Sequence, residues 1–86
     1  MKIEKKAWPE LFQEFLNGTK NFDLRLADFS CKPGDILVLK EFDPKTQKYT
    51  GRVLEKKITY VLKTKDQTFW PAEDVEKFGF QIFGLK

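Results

Sequence analysis

The chain has no histidine and a single cysteine, Cys31, among its 86 residues. Without imidazole and with only one thiol, it has neither the usual ligands of a zinc site nor a partner for an internal disulfide. The expectation is therefore no metal, no organic cofactor and a reduced, cytoplasmic setting. Arginine is scarce too: fourteen of the sixteen basic residues are Lys, so only Arg25 and Arg52 offer a planar bidentate fork. No apolar run nears the roughly 18 residues needed to cross a bilayer. The segment Met1–Lys6 also lacks the continuous apolar stretch of a secretory signal, and no membrane partner is expected. Repeats, low-complexity tracts and linkers are missing as well. One domain over residues 1–86, monomeric by default, is the simplest organisation.

Aromatic residues are plentiful, with nine Phe, two Trp and two Tyr. A domain this short buries only about 60–65% of the surface its unfolded chain exposes. Large rings, each covering about 150–250 Å², help it build a core. The formal charge of +3 permits a polyanionic partner without requiring one, because affinity for phosphates depends on where the positive charges gather.

Along the chain, Ile3–Lys6 reads as a short strand or extended lead-in. Trp8, Leu11, Phe12, Phe15 and Leu16 then recur at helical spacing, giving one apolar face. Pro9 suits the first turn, Glu10 complements the helix dipole there, and Gly18 suits a left-handed cap. Residues 21–26 alternate, with Phe22 and Leu24 on the core side and Asp23 and Arg25 opposite, as in a half-buried strand. Lys32-Pro-Gly-Asp35 is a turn, and Ile36–Phe42 is a strand buried on both faces. Arg52–Lys63 is the returning strand, its mixed parity suggesting a bulge. A loop follows at 64–68, then a short helix after Trp70-Pro71 stopped by Gly79, and a last strand over Phe80–Leu85.

The segment Gly18-Thr-Lys-Asn-Phe-Asp-Leu-Arg25 brings an acid and two bases together at the end of the first helix. Gly-x-Lys-x-x-Asp-x-Arg is similar to the Gly-x-Lys-x-x-Glu-x-Arg signature of ASCH domains in the PUA-like superfamily, with Asp23 for the usual Glu. Trp8-Pro-Glu10, the Asp28-Phe29 pair, the run Gly34 to Pro44 and Tyr49-Thr-Gly-Arg52 further resemble short ASCH-type proteins of bacteria, archaea and phages. Together these stretches extend over nearly the whole chain.

That resemblance implies an α+β fold: a small PUA-like β-barrel of about five or six mainly antiparallel strands, with one main and one short helix. It implies a cleft beside the signature and RNA or a nucleotide as ligand. Lys20 and Arg25 would then hold a phosphate or base edge, and Asp23 would orient Arg25 or accept from a base amino group. Glu41, Arg52 and Trp70 are further candidates for the rim. Some ASCH members act on modified nucleosides or cleave RNA, which makes Lys20 and Asp23 the catalytic candidates if this chain is an enzyme. The branch that hydrolyses an acylated cytidine has Thr where Asp23 stands here, so its hydroxyl nucleophile is missing. Plain structural roles stand beside each of these. Asp23–Arg25 and Glu41–Arg52 also read as salt bridges, Lys56-Lys57 as a solvated edge, and Trp70 as a staple before the second helix. An interaction surface around Trp70 and Phe83 is the third functional reading.

Overall fold

The structure, a computed structural model, describes residues 1–65 and 67–86. Its elements in chain order are β1 (Lys2–Ala7), α1 (Pro9–Asn17), β2 (Ile36–Asp43), β3 (Lys48–Lys57) and α2 (Ala72–Phe78). The three strands form one mixed sheet in the order β1-β2-β3, with β1 parallel and β3 antiparallel to β2. The apolar run predicted to be buried on both faces is thus the central strand, where Leu37, Val38 and Leu39 are all buried.

Helix α1 starts where Pro9 can enter without losing a hydrogen bond, and Phe12 N–H donates to the Trp8 carbonyl at 2.8 Å. It packs on one face of the sheet. Phe12 (1% exposed) and Phe15 form the core with Ala7, Leu37 and Leu39 (0%), with Ile3, Leu54 and Ile58 at the margin. Only part of the expected apolar stripe is covered, because three strands make a narrow floor. Trp8, Leu11 and Leu16 remain exposed.

The β2–β3 hairpin carries a bulge, but at residues 50–52 and not among residues 53–62, whose mixed parity suggested one; the pairing from Val53 to Lys57 is regular. Lys40 pairs with Val53 and Phe42 with Tyr49, so Thr50, Gly51 and Arg52 all lie opposite the single residue Glu41. Gly51 has φ +97°, a conformation that costs glycine least. At the other end of the hairpin, Lys32-Pro-Gly-Asp35 turns as expected, with Asp35 N–H donating to the Lys32 carbonyl at 3.1 Å.

Three expected strands differ. Residues 21–26 form no regular strand, and Leu24, placed on the core side by alternation, is 70% exposed. β3 begins at Lys48 and ends at Lys57; beyond it Tyr60 and Leu62 are exposed. Phe80–Leu85 also has no ladder, and its apolar side chains face outward. Alternation specifies a face only where a partner strand supplies the hydrogen bonds, and among the described residues these segments have no partner strand; of residues 58–63 only Ile58 keeps backbone bonds, to Gly34 and Asp35. The expected five- or six-stranded barrel is accordingly, among the described residues, an open three-stranded sheet with two helices. The predicted loop at 64–68 includes Asp66, which lies outside the described residues. Helix α2 forms where expected, with Pro71 one position earlier as its N-cap, and Gly79 N–H closes it on the Val75 carbonyl at 2.7 Å.

Since Phe12 fills the space between helix and sheet, Phe12→Ala should cost about 3–5 kcal/mol. Chemical denaturation of the two proteins measures this directly; a loss below about 1 kcal/mol would contradict the packing described.

Candidate ligand site at the end of the first helix

The left-handed Gly18 (φ 76°) ends α1 and turns the chain sharply. Thr19 and Lys20 N–H groups both donate to the Glu14 carbonyl at 3.2 Å, and the Thr19 hydroxyl donates to the Glu14 carboxylate. These bonds fix the direction in which Lys20 leaves the helix. Its Nζ donates to the Phe22 carbonyl at 2.8 Å and stands 3.9 Å from Asp23 Oδ1. It also lies 4.4 Å from the ring centroids of both Phe15 and Phe22, within cation–π range.

Arg25 approaches the same carboxylate from the other side. Its Nε donates to Asp23 Oδ2 at 2.8 Å, and its Nη2 donates to the Lys6 carbonyl on the free edge of β1 at 2.7 Å. Asp23 and Arg25 therefore share a side as the two-residue spacing predicted, although no strand forms. The side chains of Lys20, Asp23 and Arg25 are 15%, 18% and 28% exposed, so they are partly desolvated yet still reachable. Burial lowers the Lys20 pKa from its ordinary value; Asp23 acts against that shift and Arg25 adds to it.

All three residues line a hollow of about 400 Å³. Phe15 and Leu37 extend the core to its wall, and the end of β3 with the segment after it also lines the hollow, including Lys56, Lys57, Tyr60 and Lys63. Five basic residues and one carboxylate, Asp23, thus line it among the described residues. Tyr60, also on its lining, is 76% exposed. From the sequence, Lys56 and Lys57 read as a solvated edge with a phosphate contact as the alternative, and Tyr60 and Lys63 are not among the candidates. The available signal was a tyrosine flanked by lysines on the strand returning toward the first helix.

Glu41 and Arg52 lie elsewhere and do not line this hollow. Arg52 donates from Nε to Glu41 Oε1 at 2.9 Å and from Nη2 to Oε2 at 2.8 Å, while the Thr50 hydroxyl donates to Oε1. The bulge makes this possible by setting Thr50 and Arg52 over the same carboxylate. The guanidinium also lies 4.9 Å from the Phe12 ring centroid. Glu41 is 4% exposed, and the fork closed on it matches the structural reading of the pair as a cross-strand salt bridge. Trp70 is likewise away from the hollow. It is exposed, with its ring 5.8 Å from Phe69 and 6.1 Å from Phe80, and Phe83 is also exposed.

Fold and site together define a small α+β domain with a basic hollow at the end of its first helix. The chain belongs to the family described as Domain of unknown function (DUF3850), whose model matches residues 3–73. No curated protein and no solved structure matches it.

Two outcomes follow from these charges. Removing the Asp23 charge should let the Lys20 pKa fall further, since Asp23 is the group opposing the effect of burial. Side-chain NMR titration of Asp23→Asn checks this, and an unchanged or higher Lys20 pKa would contradict it. The Glu41 carboxyl is held at about 2, from an ordinary 4.5, first by the Arg52 hydrogen bonds and then by Thr50. A carboxyl depressed on folding contributes stability that is complete above its unfolded pKa and lost as pH falls through the folded one. Arg52→Ala should cost about 1–3 kcal/mol at neutral pH. The difference between variant and wild type should shrink as pH falls from 4.5 toward about 2. Denaturation curves across that range test it, and a pH-independent difference would refute the assignment.

Proposed function

We propose that this domain binds RNA or a nucleotide through the hollow beside Gly18–Arg25, as the resemblance to ASCH domains of the PUA-like superfamily implies. The observation carrying this reading is that Lys20, Asp23 and Arg25, joined through the Asp23 carboxylate, line a hollow together with Lys56, Lys57, Lys63 and an exposed Tyr60. Lysine ammoniums suit phosphate oxygens, and an exposed ring suits an unstacked base. Asp23 holds Arg25 by one edge of its guanidinium and thereby sets the orientation of the rest.

Two contacts also favour a PUA-like closure of the sheet. Asn21 Nδ2 donates to the Leu85 carbonyl at 3.4 Å, and a Cβ on Gly84 would lie 3.1 Å from the Phe22 ring. Asn21 and Phe22 therefore lie beside Gly84 and Leu85, a contact that neighbouring strands of a small barrel would make.

Fluorescence polarisation with short single-stranded RNA and DNA tests the binding reading. Affinity should fall with salt, with a log–log slope of about −0.7 per phosphate contacted. Lys20→Ala and Arg25→Ala should each weaken binding roughly tenfold, which is the size expected for losing a charged hydrogen bond. Circular dichroism should show both variants folded. No binding below about 100 µM at low salt would overturn the proposal.

A further inference from the structure

A second hollow, of about 390 Å³, borders the first. Glu4, Lys5, Lys6, Lys40 and Tyr49 line it together with Arg25, which also lines the first hollow. Lys6 and Lys40 are register partners on parallel strands, so their side chains leave the same face of the sheet. That face is opposite the one on which Leu37 and Leu39 meet α1. Arg25 thus joins the two hollows at the free edge of β1, where its Nη2 donates to the Lys6 carbonyl. A second link is Lys5, whose Nζ lies 3.7 Å from the ring centroid of Phe29 on the wall of the first hollow.

Charge on this second face is poorly balanced. Lys6 and Lys40 are neighbours of like sign, and Glu4, 3.2 Å from Lys40, is the one carboxylate lining the hollow among the described residues. Both ammoniums lie near the half-exposed Tyr49 ring, Lys6 at 5.9 Å and Lys40 at 5.7 Å from its centroid. An exposed tyrosine thus accompanies the basic residues lining each hollow. Of the chain's sixteen basic residues, eight line one or the other, against two carboxylates among the described residues.

Building on the nucleotide-binding reading, we infer that the ligand is a single-stranded polynucleotide that crosses the β1 edge at Arg25, with one unit in each hollow. A free nucleotide fills only the first hollow and leaves the second face uncompensated. A duplex, stiff over about 150 base pairs, does not fold around one strand edge, and its stacked bases offer no face to Tyr49 or Tyr60. A single strand bends at each phosphodiester and presents both the charge and the rings' partners.

The test compares the full chain with its Lys6→Gln/Lys40→Gln variant, using uridine monophosphate, an eight-residue oligouridylate, the matching oligothymidylate and polyglutamate. The oligomer should bind at least about tenfold tighter than the monophosphate, and the variant should lose that gain while binding the monophosphate as before. Its salt slope should decrease by about 1.4, the loss of two single-strand phosphate contacts. Comparison of the two oligomers distinguishes RNA from DNA as the source of the strand, and either one binding in this way supports the inference. Three results would overturn it: an oligomer no tighter than the monophosphate, a variant weakened equally for both, or polyglutamate competing as well as the oligomer. Monophosphate binding without length dependence defeats only this inference. Absence of binding to any nucleotide defeats the underlying reading as well.

Discussion

Phe12 and Leu39 meet at the centre of the molecule, and the position of every other feature depends on that contact. Leu39 belongs to the central strand, so it has hydrogen-bonded neighbours on both sides and a helix above it. Seating α1 there sets where its C-terminal turn lies, hence where Lys20 emerges. The strand also holds β1, whose free edge receives Arg25, and β3, whose end and continuation bring Lys56 to Lys63 to the hollow that Lys20 lines. A domain with so few buried side chains has little redundancy in this arrangement, and the loss of one ring would disturb both the core and the hollow.

The two acidic centres show how similar ion pairs differ in consequence. At Glu41 the bulge delivers a hydroxyl and a complete guanidinium fork, so the buried carboxylate is fully satisfied and Arg52 has its strongest donors committed. At Asp23 the carboxylate is shared unequally, with a short bond to Arg25 Nε and a longer approach from Lys20. That centre lies in a hollow and keeps part of its cationic surface reachable. The first pair ties a hairpin to a helix. The second organises charge toward an open space.

Net charge alone understated the second centre. A formal +3 is small for 86 residues, yet half of the basic residues line two hollows that share Arg25. Local concentration, not the sum, governs attraction to a polyanion. Lys5, Lys6, Lys40 and Lys63 come from three separate parts of the chain, and no spacing in the sequence announced that they would border connected spaces.

Local chemistry determined what depends on near neighbours. Pro9 and Gly18 bounded α1, Lys32–Asp35 made its turn, and the apolar run at Ile36 became the central strand; the Gly18–Arg25 spacing also brought Lys20, Asp23 and Arg25 to one carboxylate. These outcomes rest on backbone preference, hydrophobic period or separations of a few residues, all of which are written in sequence order. Tertiary structure alone decided that Asn21 and Phe22 would lie beside Gly84 and Leu85 without a ladder, that Leu24 would face solvent, and that the Glu41–Arg52 pair would lie away from the candidate site. Strand pairing and the walls of a hollow depend on which distant segments arrive alongside, and that is settled by packing against β2 rather than by any local signal.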